Sequence, residues 1–507
     1  MIMLPLALLP PTATDDLIMH LLLPKLYIQA GRIHELASMG FSYFPMNIDL
    51  LYIIPMAFGS DTLPKLIHFG FALLTGFTIY IYLSEKLDKR YALLGLSLFL
   101  TTPLVMQLST TAYIDLGFTF YSTLALFSIL KWREKLELRW LILSAIATGF
   151  AMGSKYSALI LLAIFSLTIV WSISRTTKDQ SKALRLGFLY LLISLLVFSP
   201  WLIRNYLWTH NPVYPLMNGF FTASSAGSLQ PIQVASMPPL IMRGLMYGED
   251  LWYILLIPLR MFWEGKDGSL RFFDGVLNPL FLVFIPLAFI RIKNNDIKYL
   301  AIFSCVFFFI AFFTVDIVTR YVLPILPALV IFIVYGFKNA LEMRRLRSFA
   351  VAALVILFIL NGWYITTLYE RYRPVDYFMG RETKEQFLSR RLSDYSTIAF
   401  ANATLPVDVK VMSFFAGDRV YYWERNIVSG ARLGGDLISF VQGAQDDSEL
   451  SRKFKGLGVT HLFINDPLFM KFARDNFDEK QLVMLSMFFK KHANLLYGKN
   501  GFSLYRL

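Results

Sequence analysis

Apolar runs long enough to cross a bilayer recur over the first three quarters of this 507-residue chain. A helix needs about 20 mostly apolar residues to span the hydrocarbon core. The mean hydropathy of +0.53 agrees with a polytopic α-helical membrane protein. Ten runs are predicted, of which the fourth is short for a span, at residues 62–83, 90–108, 114–131, 140–153, 156–173, 186–203, 276–290, 299–315, 321–337 and 348–368, so the chain is expected to have about 10–11 spans.

The charges of the short loops between these runs predict the orientation of the chain. Every second loop is rich in Lys and Arg, whereas the alternate loops carry little charge. Cytoplasmic loops of membrane proteins are enriched in these residues, so the basic loops are predicted to be cytoplasmic. The formal net charge of +13 is therefore mainly a topology signal, and nucleic acid is not expected as a partner. The basic loops cover residues 86–90, 131–139, 175–185, 291–298 and 338–347.

The same alternation predicts two domains and their placement. Residues 1–372 form a transmembrane domain, with a first outer loop at 12–61 and a second at 204–275 on the non-cytoplasmic side. Residues 373–507 have the composition of a globular protein and are predicted to form a small α/β domain on that same side. A helix is predicted over 382–401, strands over 409–414 and 460–464, and a hairpin at Asn500-Gly501.

Two further segments carry expectations about the membrane. Residues Arg243 to Phe262 of the second outer loop have the pattern of an amphipathic helix lying at the membrane surface. The apolar stretch before Pro10-Pro11 is too short to cross a bilayer, so the assigned start is expected to cut off most of a first span. The single cysteine, Cys305, excludes an intramolecular disulfide.

Acidic and basic residues gather at the non-cytoplasmic ends of the predicted spans. The acids are Asp15, Asp16 and Asp115, and the cations are Lys155, Arg204 and Arg320. Taken singly, each acid can be a helix cap and each cation can reach from a helix end to the interface. Cations on this side nevertheless run against the charge bias of membrane proteins, and a phosphate bound there would account for them.

These residue types fit one reaction at a membrane surface. A carboxylate takes the proton from an acceptor hydroxyl, which attacks a sugar carbon that bears a lipid-linked phosphate. Negative charge grows on the leaving phosphate, so fixed cations or a metal ion lower the barrier. The lipid tail of such a donor would lie between the helices.

Several short blocks resemble bacterial GT-C glycosyltransferases, in the branch akin to protein O-mannosyltransferases and the lipid A aminoarabinose transferase. The first block runs through Pro10-Pro11-Thr12, Asp15, His20-Leu21, Pro24-Lys25-Leu26-Tyr27 and Gly31-Arg32-Ile33. The resemblance extends through the whole membrane portion. The other blocks are Tyr113-Ile114-Asp115, Gly153-Ser154-Lys155-Tyr156, Pro200 to Tyr206, Asn211 to Pro215, Phe273-Asp274-Gly275 and Arg320 to Pro324.

The resemblance implies an inverting glycosyltransferase that uses a polyprenyl-phosphate sugar at the outer face of the bacterial cytoplasmic membrane. Asp15 matches the proposed base, Asp16 has at most a helper role, and Asp115 matches a second acidic position associated with a metal or the acceptor. The sugar stays open, and the acceptor is a glycolipid, a cell-envelope glycan or a protein. The residues expected to bind substrate are His20, Lys25, Lys155, Arg204, Tyr214, Arg320 and Tyr321.

Two alternatives and one cofactor question stay open at this point. His20 follows Asp16 by four residues, so an α-helix would place both on one face, where a divalent metal ion is an alternative to hydrogen bonding. No other cofactor is expected. A transporter or flippase for a lipid-linked glycan, or a non-catalytic scaffold that presents the C-terminal domain, would also have a polytopic membrane part.

Overall fold

The computed structural model describes residues 2–222, 239–290, 295–314, 317–429 and 434–507. By its contacts the chain forms two compact units: Met1–Leu9 with Tyr27–Pro374, and Pro10–Leu26 with Val375–Leu507. We call them the membrane unit and the C-terminal unit. Part of the predicted second outer loop, 223–238, and part of the fourth basic loop, 291–294, lie outside the described residues.

The membrane unit is helical, as the apolar runs predict. Six helices in the described part of the chain are long and apolar enough to cross a bilayer, so the protein is a multi-pass membrane protein. These helices are Leu63–Lys86, Tyr156–Thr176, Gln180–Thr209, Asn295–Phe312, Thr319–Glu342 and Arg347–Tyr372.

The other four predicted runs form helices that are shorter, broken or less apolar. Pro103 divides the second run, because proline cannot continue the hydrogen-bond ladder of a helix. The third run begins at the acid Asp115 and ends in charged residues, and the seventh contains Pro286. The helices of these runs are Lys89–Thr101, Pro103–Leu108, Asp115–Lys135, Leu138–Met152 and Phe281–Ala288.

The prediction of one amphipathic helix over Arg243 to Phe262 is wrong. The chain forms three short helices instead, Pro239–Tyr247, Leu251–Leu255 and Ile257–Arg260. Gly248 ends the first in the left-handed region, with φ +67°, and Pro258 favours a new helix start. The membrane unit also contains the shorter α-helices Leu4–Ala7, Leu22–Ala30, Asn47–Ala57 and Asn218–Thr222, the second of which crosses the boundary of the unit, and the 3₁₀ turns Gly40–Tyr43 and Leu270–Phe272. Two of the six long stretches named above begin with a 3₁₀ turn: Tyr156–Ala158 continues into the α-helix Leu159–Thr176, and Thr319–Ile325 continues into Leu326–Glu342. The α-helix that starts at Asn295 ends at Thr314.

The C-terminal unit contains a five-stranded sheet, in agreement with the predicted small α/β domain. The strands are β1 (Lys410–Phe414), β2 (Asn426–Ser429), β3 (His461–Asn465), β4 (Asn494–Lys499) and β5 (Phe502–Arg506). Their order is β2-β1-β3-β5-β4, with β1 parallel to β2 and β3, and β5 antiparallel to β3 and β4. Two of these strands and the hairpin lie where the sequence predicts them.

Helices cover both faces of this sheet, because successive side chains of a strand point to opposite sides. Met412 and Leu462 belong to one apolar core, whereas Val411 and Phe463 belong to the other. The helix predicted over 382–401 is interrupted after Arg391. The helices, the first of which starts at the boundary between the units, are Pro374–Phe378, Lys384–Arg391, Tyr395–Thr404, Gly434–Gln442, Asp447–Gly456, Asp466–Asn476 and Glu479–His492.

Candidate active site

A buried ion pair joins two of the predicted site residues in the membrane unit. The Lys155 Nζ atom lies 2.9 Å from Asp115 Oδ1, and the Asp115 side chain is only 3% exposed. Asp115 begins the helix Asp115–Lys135, where a carboxylate is favoured by the helix dipole. Lys155 follows the end of the helix Leu138–Met152. The pair therefore holds two helix ends together with opposite charges.

Arg320 and Tyr321 stand beside this ion pair. The Lys155 ammonium lies 3.9 Å from the centre of the Tyr321 ring. The Arg320 guanidinium carbon lies 4.9 Å from the ring centre of Tyr113 and 5.4 Å from that of Tyr321. Aromatic faces attract cations, so the rings hold both charges in place. In this group one carboxylate accompanies two cations, which leaves an excess of positive charge.

A histidine that the sequence analysis missed supports the first turn of the Asp115 helix. His68 is fully buried, and its Nε2 atom accepts a 2.9 Å hydrogen bond from the backbone N–H of Leu116. Its Nδ1 atom lies 2.9 Å from the Thr111 carbonyl oxygen and 3.0 Å from that of Leu108. Nδ1 therefore carries the proton, and the imidazole is neutral. The only sequence signal is a lone histidine inside an apolar run.

A second group of polar residues gathers around Asn205, which is also fully buried. Its Nδ2 atom lies 2.9 Å from the Tyr43 carbonyl oxygen, 3.1 Å from that of Tyr214 and 3.0 Å from the Tyr156 hydroxyl. The Tyr156 hydroxyl donates to the Tyr214 carbonyl at 3.0 Å. One amide thus joins three segments of the chain, and because Tyr156 follows Lys155, this group adjoins the ion pair.

Arg204 presents its charge to neutral partners. Its guanidinium donates to Asn205 Oδ1 at 2.8 Å and to the Phe44 carbonyl at 3.1 Å. It also stacks on Trp201 and Trp208, with centroid distances of 4.4 and 4.8 Å. Within the described part of the chain, its buried Nη1 atom has no hydrogen-bond partner. A guanidinium with an unused donor is suited to bind an anionic oxygen.

Gly153 lets the first outer loop approach the end of the helix Leu138–Met152. The Asn47 N–H donates to the Gly153 carbonyl at 2.8 Å, and Asn47 Oδ1 accepts from the Trp201 indole at 2.8 Å. A Cβ atom at position 153 would lie 2.0 Å from Asn47 Nδ2. Glycine is therefore required by the space available rather than by its backbone angles.

We expect Gly153→Ala to lower the free energy of unfolding by about 1–3 kcal/mol, because Asn47 must move away from the new methyl group. The matched control is Gly70→Ala, where nothing lies within 4 Å of the added Cβ. That change should be neutral or stabilise its helix by about 0.5–1 kcal/mol. Thermal unfolding in detergent measures both, and equal midpoints for the two variants would refute the close approach.

The second outer loop contains a buried network of charges. The carboxylate of Glu249 accepts from Arg243 at 2.5 Å and from Arg260 at 3.0 Å, and Arg260 also pairs with Glu264 at 2.8 Å. Burial alone would raise the pKa of Glu249, but hydrogen bonds from the two arginines outweigh this effect and lower the pKa. The apolar residues of the same segment point outward, as expected of a surface that faces lipid: Trp252, Leu255, Leu256, Leu259 and Trp263.

This network supports the turn that carries Arg320. The Phe273 ring is buried, and the guanidinium carbons of Arg243 and Arg260 lie 4.9 and 5.5 Å from its centre. The carbonyl of Phe273 accepts a 2.7 Å hydrogen bond from the backbone N–H of Thr319. At Gly275, φ is +158°, and a Cβ would lie 2.8 Å from Leu104 Cδ1. The outer loop therefore fixes the backbone immediately before Arg320.

We expect Glu249→Gln to destabilise the protein by about 3–5 kcal/mol, because the buried Arg243 loses its carboxylate partner and Arg260 loses one of its two. The control is Glu342→Gln, which removes an exposed carboxylate that pairs with the half-buried Lys338 and should change stability by less than about 1 kcal/mol. The measurement is the unfolding midpoint in detergent. Acidification below the ordinary range of a glutamate pKa should likewise weaken the native protein, since the pKa of Glu249 is lowered by folding. Equal midpoints for the two variants would contradict this account.

Asp15, Asp16, His20 and Lys25 belong to the C-terminal unit. Asp16 to His20 form one π-helical turn, in which the Leu21 N–H donates to the Asp16 carbonyl, five residues back, at 2.9 Å. The α-helical spacing assumed for Asp16 and His20 is therefore wrong, because this turn is wider. Asp16 and His20 are buried, whereas Asp15 is half-buried.

Lys25, which the sequence predicts to bind substrate, has partners within the protein. Its Nζ atom donates to the backbone carbonyls of Tyr421 at 2.6 Å and Trp423 at 3.0 Å. Burial lowers the pKa of Lys25, and the nearby Glu424 opposes this effect. The role in substrate binding stays a prediction.

Asp16 and His20 are the residues for which the sequence leaves a divalent metal ion open. Among the residues that the structure describes, no three His, Cys, Asp or Glu side chains are grouped so that they could hold a metal ion. The side chains of the described residues therefore do not form a dedicated metal site.

Comparisons with known proteins agree with this architecture. A family model described as dolichyl-phosphate-mannose-protein mannosyltransferase matches residues 61–203. No curated protein sequence matches the chain.

Among solved structures, the chain is similar to ArnT from Cupriavidus metallidurans in the apo state, with a TM-score of 0.54, 13% identity, and coverage of 99% of this chain and 95% of ArnT. For ArnT bound to undecaprenyl phosphate, the TM-score is 0.52 and the identity 12%, with coverage of 99% of this chain and 95% of ArnT. For the Archaeoglobus fulgidus oligosaccharyltransferase, in complex with Zn and sulfate, the TM-score is 0.52 and the identity 13%. The match covers 98% of this chain and 69% of the oligosaccharyltransferase. At these identities the structural likeness shows the fold. The family match lies within the membrane unit and covers less than a third of the chain.

Proposed function

We propose that the protein transfers a sugar, with inversion, from a polyprenyl-phosphate-linked donor to a hydroxyl group on the outer side of the bacterial cytoplasmic membrane. The observation that carries this proposal is the group formed by Asp115, Lys155, Arg320 and Tyr321 at the ends of membrane helices. The ArnT structure with bound undecaprenyl phosphate supports the class of lipid in the donor.

The positions of these residues on their helices support the assignment to the outer side. The helix that begins at Asp115 ends with Arg133 and Lys135. The helical stretch Thr319–Glu342, which contains Arg320 near its start, has Lys338 near its end. The opposite ends therefore carry the basic residues expected in the cytoplasm.

In the proposed reaction, the acceptor oxygen attacks C1 of the sugar from the side opposite the phosphate. The bond between C1 and the phosphate oxygen breaks, and its electron pair leaves with the polyprenyl phosphate. The hydroxyl proton passes to a carboxylate, for which Asp15 is the candidate by the resemblance and by its chemistry as a base. The configuration at C1 is inverted by this single displacement.

The cations of the membrane unit act on the leaving phosphate. Its negative charge increases as the bond to C1 breaks, so a positive charge that is already in place lowers the barrier. Lys155 is restrained by Asp115 and by the Tyr321 ring, so little reorganisation is needed. Arg204, with its unused donor and neutral partners, is the candidate for a further contact to an anionic oxygen.

The test is transfer from radiolabelled polyprenyl-phosphate sugars by membranes that contain the wild-type chain, with membranes lacking it as the control. Label in an acceptor fraction with the wild type alone would support the proposal and identify the sugar. Movement of the intact labelled lipid across the membrane without transfer would favour a flippase. If the protein neither binds a donor nor moves a lipid, a non-catalytic scaffold is favoured.

A further inference from the structure

Three consecutive residues of the C-terminal unit bind both ends of the segment that carries Asp15. The hydroxyl of Tyr422 donates to the Pro11 carbonyl at 2.7 Å. The ammonium of Lys25 donates to the carbonyls of Tyr421 and Trp423. The ammonium also lies 5.3 Å from the centre of the Tyr421 ring. The acids are located between these two attachment points.

The loop that makes these contacts is itself fixed in the C-terminal unit. Trp423 is buried, and its ring lies 5.1 Å from that of Phe463 in the core of the sheet. The carbonyl of Tyr422 accepts a 2.8 Å hydrogen bond from the side-chain amide of Asn402. A loop anchored in this way can hold a second segment in one conformation. Without such attachment, a segment of this length would adopt many conformations.

We propose that the loop Tyr421–Trp423 positions the Asp15 carboxylate, and that Lys25 is a positioning residue rather than a substrate-binding one. This proposal rests on the proposed function, in which Asp15 is the base. It assigns a task to the C-terminal domain: its loop holds the acid-bearing segment between Pro11 and Lys25 in a single conformation.

The test uses the full-length protein with Lys25→Met and Tyr422→Phe, which remove the contacts at the two ends of the segment. Lys25→Arg keeps donors for the two carbonyls and should restore the wild-type behaviour. Tyr497→Phe is the matched control, because within the described residues the Tyr497 side chain makes a ring contact with Phe400 and no hydrogen bond to the segment. Hydrogen exchange of the amides of residues 12–24 is measured together with KM for the donor and kcat.

We expect exchange of residues 12–24 to become about 10-fold faster in Lys25→Met and Tyr422→Phe, since each loses hydrogen bonds that restrain the segment. With the base less often in place, kcat should fall about 10-fold while KM for the donor stays unchanged. Lys25→Arg and Tyr497→Phe should match the wild type in both measurements.

Two results would overturn the proposal. Unchanged exchange in both variants would show that the loop does not hold the segment, and a raised KM with unchanged kcat in Lys25→Met would assign this residue to substrate binding. If exchange changes as expected but the wild type itself transfers no sugar, the positioning of the segment stands and the proposed function fails.

Discussion

Replacing Asp15 with asparagine should reduce sugar transfer by about 10²–10⁴-fold, the range expected when a general base is lost. Asparagine keeps the size and polarity of the side chain but cannot accept the proton of the acceptor hydroxyl. Because Asp15 is half-buried at the start of its turn, the substitution should leave the unfolding midpoint close to that of the wild type. Single-turnover transfer from a labelled donor measures the loss.

Asp16→Asn is the neighbouring comparison for this experiment. If Asp16 has only a helper role, its loss should lower transfer less than the loss of Asp15. Full transfer by Asp15→Asn would contradict the assignment of the base. A large loss of transfer in Asp16→Asn, with little change in Asp15→Asn, would identify Asp16 instead of Asp15 as the base.

Replacing Lys155 with methionine should have two large effects. It leaves the carboxylate of Asp115 buried without the ammonium that now lies 2.9 Å away, which should cost about 3–5 kcal/mol of stability. It also removes a cation proposed to act on the leaving phosphate, which should lower kcat by about 10²–10³-fold. Unfolding in detergent and transfer rates at saturating donor measure the two effects separately.

The double variant Lys155→Met/Asp115→Asn separates these effects. Because it removes the unpaired carboxylate together with the ammonium, most of the lost stability should return, whereas transfer should stay low. If transfer returned with stability, Lys155 would serve the fold alone. If neither returned, the ion pair would be needed for folding in a way that a neutral pair cannot replace.

The features that the sequence predicts well depend on patterns of neighbouring residues. Apolar runs identified the positions of the helices, and alternation with a Gly-containing turn identified the hairpin at Asn500-Gly501. The charge bias of the loops predicts that Asp115, Lys155 and Arg320 share one side of the membrane, and the structure places the three side chains in one group with Tyr321. These signals depend on composition over short stretches, so a single chain is sufficient to detect them.

The features that the sequence did not predict depend on partners far along the chain. The amide of Asn205 contacts a carbonyl 162 residues away, and the ring of His68 binds a backbone N–H 48 residues away. In sequence His68 is a lone histidine inside an apolar run, and Asn205 follows Arg204 at the end of another. The outer-loop helix failed for another reason: Gly248 ends the first helix in the left-handed region, and Pro258 favours a new helix start, so the segment does not form one continuous helix.

The two attachments of the Asp15 segment also have a consequence for biosynthesis. Lys25 and Tyr421 are 396 residues apart, and Pro11 and Tyr422 are 411 apart. At roughly 5–20 residues per second, the ribosome adds the loop about 20–80 s after the segment has been made. During that interval the acids are already translated, but the loop that holds them does not exist. A nascent chain can therefore acquire its ordered acid segment only after the loop Tyr421–Trp423 has been made.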